Sequence, residues 1–126
     1  MSTARRAVLL VDDDADIRFI AEIALARVGG LDVTLAGSAQ EARAALAVAI
    51  PDAMLLDVTM PEVDGPTFFA ELQRHPQYGS LPVVFLTART TLEDVQSYLA
   101  LGAAGVMAKP FDPMTLARQL GEILGW

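Results

Sequence analysis

The chain contains no cysteine, only one histidine and no long apolar run. The absence of cysteine excludes disulfide bonds and thiol chemistry, which fits the cytoplasm. No apolar run approaches the roughly 20 residues of a membrane-spanning helix, and the short run that ends at Val11 lacks the length and cleavage site of a signal peptide. His75, the single histidine, precedes a proline where a helix has to end, so we assign it no role. We therefore expect a cytoplasmic protein that does not enter the membrane.

Basic residues are few as well, with 9 basic against 16 acidic side chains and a net charge of −7. Such a chain repels a polyanion on average, so direct nucleic-acid binding is not expected. Binding of a cation or of a basic partner surface is expected instead. At 126 residues and 53% hydrophobic, the chain has the size and composition of one globular domain. We expect a single domain over residues 1–126, with residues 1–6 as a flexible tail.

Short apolar runs alternate with longer segments of helical periodicity along the whole chain. Three of the short runs are almost continuously apolar, which is typical of strands covered on both faces. Strands are predicted over residues 7–11, 32–35, 53–56, 82–86 and 105–108. Helices are predicted over 14–28 and 65–74, and after residues 38, 90 and 112. Five strand–helix units in succession indicate a parallel sheet with helices on both faces.

The helix boundaries rest on local capping signals. The pair Gly29-Gly30 follows the first helical pattern and is expected to end it. The sequences Ser38-Ala39-Gln40-Glu41 and Thr90-Thr91-Leu92-Glu93 both have the form of a capping box. The pair Asp112-Pro113 combines an N-cap residue with a proline at the first helical position.

Polar side chains follow four of the five predicted strands. They are Asp12 and Asp13 after the first, Asp57 after the third, Thr87 after the fourth and Lys109 after the fifth. Carboxyl ends of parallel strands meet at one edge, and adjacent carboxylates there raise one another's pKa unless a cation intervenes. All-oxygen ligands favour Mg²⁺, with Mn²⁺ as the alternative. Lysine and threonine can bind a phosphoryl oxygen, and a carboxylate can accept a phosphoryl group as an acyl phosphate.

The same residues carry a family resemblance, because several pieces of sequence, all in register, resemble the receiver domains of two-component response regulators. The pieces are Asp12-Asp13, Asp57 with Met60-Pro61 and Asp64-Gly65, Thr87-Ala88, and Lys109-Pro110-Phe111. They span the chain in the order and spacing of the family. The resemblance implies a flavodoxin-like, doubly wound sheet of five parallel strands in the order 2-1-3-4-5, with five helices.

The resemblance also implies a role for each residue of the site. Asp57 would accept the phosphoryl group, and Asp13, Asp57 and the backbone carbonyl of Thr59 would bind Mg²⁺, with Asp12 assisting through water. Lys109 would hold a phosphoryl oxygen, Thr87 would swing toward the phosphoryl group, and the Lys109–Pro110 bond would be cis. Such a domain is a switch rather than an enzyme, since it catalyses only its own phosphorylation and dephosphorylation.

The implied partners are a sensor histidine kinase or a phosphotransfer protein, and the switching surface is the face of the fifth strand and the last two helices. Val106 stands where many receivers have an aromatic residue, so an output change would have to use backbone movement or aliphatic repacking. The resemblance does not identify the downstream effector or output domain. It also leaves open whether the chain forms a homodimer through its last two helices.

Two other functions compete with the phosphorylated switch. An Asp-nucleophile phosphohydrolase would need an aspartate two residues after the nucleophile, where this chain has Thr59, and a cap domain to enclose its substrate. A docking module with the same fold would need none of the chemistry, and the intact set of polar residues argues against it.

Overall fold

The computed structural model describes residues 5–126. Within them, five parallel strands form one sheet in the order β2-β1-β3-β4-β5. The strands are β1 Ala7–Val11, β2 Asp32–Ala36, β3 Ala53–Asp57, β4 Val83–Thr87 and β5 Gly105–Ala108. The predicted fold and strand order are confirmed, and each strand boundary agrees with its prediction to within one residue.

Helices connect consecutive strands, and their number confirms the predicted five. They are α1 Ala15–Glu22, α2 Ala39–Val48, α3 Gly65–Gln73, α4 Leu92–Ala100 and α5 Leu116–Leu124. The predicted first helix extends to Val28 as expected, but its last part, Ile23–Val28, is π-helical. There the amide of Gly29 donates to the carbonyl of Ala24, five residues earlier, at 3.1 Å.

The caps of α2 and α3 follow from the sequence. Ser38 Oγ accepts the amide of Glu41 at 3.1 Å, and Asp64 Oδ1 accepts the amide of Thr67 at 2.8 Å. The second half of the predicted capping box differs, because the Glu41 carboxylate accepts from the amide of Gly37 at 2.9 Å and not from that of Ser38. Both contacts still satisfy amides that would otherwise lack a partner at the start of α2.

The starts of α4 and α5 lie later than predicted. Thr91, and not Thr90, caps α4, since Thr91 Oγ1 accepts the amide of Asp94 at 3.1 Å. Asp112 Oδ1 accepts the amide of Met114 at 2.9 Å and closes a turn, after which α5 begins at Leu116. A proline next to a capping aspartate therefore marks the turn here and not the helix.

The sheet separates two apolar clusters. Alternate residues of β1 face opposite sides, so Leu9 packs in the cluster covered by α2 and α3, and Leu10 packs in the cluster covered by α1 and α5. All five residues of β3 are buried. Burying a leucine side chain contributes about 1.5–3 kcal/mol, so these clusters fix the strand whose last residue is Asp57.

The expected tail falls largely on residues 1–4, which lie outside the described residues. Arg5 and Arg6 are exposed. The carbonyl of Arg6 accepts the amide of Asp32 at 2.9 Å, and its guanidinium lies 4.9 Å from the ring centre of Trp126. Over residues 5–126, no helix is long and apolar enough to cross a membrane.

Candidate functional site

Every predicted site residue lies around one open cleft of about 540 Å³ at the carboxyl edge of the sheet. The predicted residues that line it are Asp12, Asp13, Asp57, Thr59, Thr87 and Lys109. They come from the ends of β1, β3, β4 and β5, as the strand order requires. The cleft thus lies where open α/β sheets bind ligands.

Asp12 is fully buried and is contacted on all sides. Its amide donates to the carbonyl of Ala36 at 3.0 Å, and its carbonyl accepts from Arg18 Nη1 at 2.7 Å. Its Oδ1 accepts the amide of Asp14 at 2.9 Å. Its Oδ2 lies 2.6 Å from Lys109 Nζ and, apart from this ion pair, has no hydrogen-bond partner within residues 5–126. One buried carboxylate oxygen therefore retains capacity for a further cation.

Asp57 ends β3 with only 5% of its surface exposed. Its Oδ1 accepts hydrogen bonds from Lys109 Nζ at 3.0 Å and from the amide of Thr59 at 3.3 Å. Burial raises the pKa of Asp57 to about 6, the Lys109 hydrogen bond opposes that rise, and the charge of Asp12 adds to it. The carboxylate form of Asp57 is thus costly in the free protein, and a cation would lower that cost.

Lys109 joins the two buried carboxylates. Burial alone would lower its pKa, but hydrogen bonds and charge attraction from Asp12 and Asp57 outweigh burial and raise the pKa above its ordinary value. The side chain is therefore an ammonium at neutral pH. Its amide donates to the carbonyl of Thr87 at 2.9 Å, and the peptide bond to Pro110 is cis, as predicted.

Thr87 is buried at the end of β4. Its Oγ1 accepts the amide of Arg89 at 3.0 Å, so the hydroxyl oxygen fixes the start of the loop between β4 and α4. The movement of Thr87 toward a phosphoryl group stays a prediction. Its position nevertheless links the cleft directly to the loop that leads into α4.

The acidic residues fit a hard divalent cation. One carboxylate oxygen from each of Asp12, Asp13 and Asp57 lies within 4.8 Å of the other two. Asp13 is exposed on the cleft, whereas the other two are buried. Three carboxylates with open space for water match the preference of Mg²⁺ or Mn²⁺. The Thr59 carbonyl as a further ligand stays a prediction.

Sequence reasoning missed two residues at the site, Arg18 and Tyr98. Tyr98 of α4 lines the cleft, and its ring centre lies 5.2 Å from that of Phe85 on β4. The spacing of Val95 and Tyr98 on α4 signals an inward face, but not that the tyrosine reaches the cleft. Val106 of β5, a non-aromatic position already evident from the sequence, pairs with Phe85 of β4.

The structure has an acidic cleft at the carboxyl edge of a doubly wound sheet, and comparison with known proteins gives the family. The family model of the response regulator receiver domain matches residues 8–120. The chain belongs to this family. Receiver domains are the signalling switches of two-component systems and not enzymes in the usual sense.

Individual relatives agree with the family. The chain is 40% identical to the response regulator Rre1 of Synechocystis over 119 residues, which is 94% of this chain and 51% of Rre1. It is 41% identical to the DNA-binding transcriptional regulator NtrC of Salmonella typhimurium over 86% of this chain and 22% of NtrC. The structure of the chemotaxis response regulator CheY4 of Vibrio cholerae is similar at a TM-score of 0.86 and 34% identity, covering 95% of this chain and 99% of CheY4. The chain thus spans about half the length of Rre1 and less of NtrC.

Proposed function

We propose that this domain is a switch that is phosphorylated on Asp57, with Mg²⁺ (or Mn²⁺) as cofactor. The observation that carries the proposal is the contact of 3.0 Å between Lys109 Nζ and Asp57 Oδ1, beside the Asp12–Asp13 pair in an open cleft. Asp57 is the nucleophile in this proposal, and it gains a negatively charged phosphoryl group. Lys109 can neutralise part of that charge, and the acidic cluster can hold a metal ion that neutralises more of it.

The proposed reaction is in-line transfer from a phosphohistidine of a sensor kinase or phosphotransfer protein. A carboxylate oxygen of Asp57 forms the new P–O bond while the P–N bond breaks and its electron pair stays on the imidazole. Oδ2 of Asp57 suits the attack, because within residues 5–126 only Oδ1 accepts hydrogen bonds. Bound Mg²⁺ would offset negative charge on the phosphoryl oxygens. Asp12, Asp13 and Asp57, with the Thr59 carbonyl, would hold the ion, and Lys109 would hold one phosphoryl oxygen.

The proposed response starts at Thr87. Its hydroxyl would leave the Arg89 amide, to which it is bonded at 3.0 Å, and donate to the phosphoryl group. The loop between β4 and α4 would then shift, and with it the surface of α4, β5 and α5 that an effector or output domain would read. Tyr98 is the α4 residue that lines the cleft and would move with this loop.

Incubation with acetyl phosphate and Mg²⁺, followed by intact-mass spectrometry, tests the proposal. One phosphoryl group per chain is expected, and none after chelation of the metal. Asp57→Asn should abolish the adduct, whereas Asp64→Asn, which retains the cap of α3, should not. An equal adduct in Asp57→Asn would refute the assignment of the acceptor. Turnover of a small phosphate ester would favour the phosphohydrolase instead, and the absence of any Mg²⁺ binding would favour the docking module.

A further inference from the structure

Within residues 5–126, the side chain of Arg18 on α1 makes one hydrogen bond, and this bond is to a residue of the site. The half-buried guanidinium donates from Nη1 to the backbone carbonyl of Asp12 at 2.7 Å. None of the ion pairs formed within residues 5–126 includes Arg18. Arginine is seldom buried without a paired acid, and a hydrogen bond from a charged donor is strong. The charged guanidinium of Arg18 therefore binds the main chain of Asp12 and not an acidic side chain.

Gly37, the residue after β2, provides the space for this contact. A Cβ atom at Gly37 would lie 3.0 Å from Arg18 Nη1 and 3.4 Å from Cζ, so the guanidinium lies directly over the glycine backbone. The preceding residue, Ala36, accepts the amide of Asp12 at 3.0 Å. Arg18 thus spans the gap between the ends of β1 and β2, where the chain turns away into two different helices.

The contact fixes the main chain of Asp12, whereas Lys109 contacts its side chain. The side chain of Asp12 is held by Lys109 and by the amide of Asp14, and its amide is held by Ala36. Arg18 supplies the remaining contact, to the carbonyl. Without it, the peptide after Asp12 would be restrained only by the turn to Asp14, and small rotations of this peptide would shift the carboxylates of both Asp12 and Asp13.

We propose that Arg18 is a positioning residue for the acidic cluster and that Gly37 is required for its placement. Arg18 holds the β1–α1 turn so that Asp12 and Asp13 direct their carboxylates toward one point. The metal-binding part of this inference rests on the proposed function, whereas the ordering of the turn does not.

Arg18→Met keeps the aliphatic stem and removes the donors. It should weaken Mg²⁺ binding in calorimetric titration by about tenfold or more, the usual effect of losing a group that orients a metal ligand. In the metal-free protein, amide exchange of Asp12 and Asp14 by NMR should become faster relative to amides of β3 and β4. Arg18→Lys, which restores one charged donor, should recover part of both effects.

Gly37→Ala tests the same contact without changing charge. The added methyl group should push the guanidinium aside by a few tenths of an ångström, so a smaller loss of Mg²⁺ affinity and modestly faster exchange at Asp12 are expected here too. If both substitutions act through one contact, the double variant should bind Mg²⁺ hardly more weakly than Arg18→Met alone. Arg27→Met is the charge-matched control, because Arg27 is exposed and lies in the π-helical segment away from the cleft.

Unchanged Mg²⁺ affinity together with unchanged exchange at Asp12 and Asp14 in Arg18→Met would overturn the proposal. An equal loss of affinity in Arg27→Met would overturn it as well, since net charge and not position would then be the cause. If the unsubstituted protein binds no Mg²⁺, the proposed function fails, and the exchange measurement in metal-free protein still decides the role of Arg18.

Discussion

Lys109 Nζ donates to Asp57 Oδ1 at 3.0 Å and so links the end of β5 to the end of β3 across the intervening β4. The same ammonium lies 2.6 Å from Asp12 Oδ2 after β1. One cation thus pairs with two buried carboxylates, which leaves an excess of negative charge among these three side chains in the free protein. This imbalance has measurable consequences for stability.

Asp57→Asn should stabilise the metal-free protein at neutral pH. The pKa of Asp57 is raised from an ordinary value of 3.8 to about 6, so its favourable contribution is complete below 3.8 and is lost as the pH rises through about 6. Above that pH the gain from asparagine should be about 1–3 kcal/mol. Urea unfolding across this range measures it. A gap between the two proteins that widens toward acid would contradict the assigned shift.

Lys109→Met should act in the opposite direction. It leaves Asp12 and Asp57 without their shared cation, and removal of one partner from a largely buried ion pair costs about 3–5 kcal/mol. Added Mg²⁺ should then stabilise the variant more than the unsubstituted protein, because the metal supplies the missing positive charge. Denaturant unfolding with and without Mg²⁺ measures both effects. Equal stability in metal-free buffer would show that the two carboxylates do not depend on the lysine.

Gly65→Ala should be destabilising because the start of α3 lies against β3. A Cβ atom at Gly65 would overlap the carbonyl oxygen of Asp57 and lie 3.0 Å from Val58 Cα, and backbone atoms cannot move aside as a flexible side chain can. The expected loss is about 1–3 kcal/mol, as for other overpacked sites.

Gly121→Ala is the matched control for this substitution. Gly121 lies within α5, and the nearest atom to its added Cβ would be Trp126 Cβ at 3.7 Å, an ordinary contact. Alanine should therefore be neutral or stabilise by about 0.5–1 kcal/mol. Unfolding midpoints that fall equally for both variants would show that backbone overlap at Asp57 is not the cause.

The ion pair between Arg43 on α2 and Glu71 on α3 should contribute modestly. It is bidentate, at 2.6 and 2.7 Å, but each side chain is 43% exposed, so a coupling of about 0.5–1 kcal/mol is expected in a double-mutant cycle. The arginine lowers the pKa of Glu71 below 4.5, so the contribution is present above 4.5 and is lost as the pH falls through the lowered value. A coupling insensitive to both acid and salt would exclude an electrostatic origin.

Strand positions and site residues could be read from the sequence because each depends on local pattern. Apolar runs covered on both faces fix β3 and β4, and the polar residue after each run falls at the carboxyl edge once the sheet is parallel. The π-helical end of α1 could not be read, because hydrogen bonds to the fifth preceding residue leave the apolar pattern intact. The contacts of Arg18 and Tyr98 depend on how each helix packs against the sheet, and the reach of a side chain across that packing has no signature in the sequence.

Tyr98 should decide how firmly α4 is attached to the domain. No residue of α4 is fully buried, and the tyrosine ring packs beside Phe85, 5.2 Å between centres. Tyr98→Ala removes this ring contact, and a local loss of about 1.4 kcal/mol would speed amide exchange about tenfold. This acceleration should be confined to Leu92–Ala100 and the preceding loop, with α2 and α3 unaffected.

Tyr98→Phe separates the ring from its hydroxyl group. Phenylalanine retains the contact with Phe85, so exchange in α4 should stay near that of the unsubstituted protein. Exchange that rises equally in all helices of Tyr98→Ala would instead indicate a general loss of stability. Local loosening would make α4 the element whose position is most easily changed from the cleft, because Thr87 and Tyr98 both line it and Val106 offers no aromatic ring on β5.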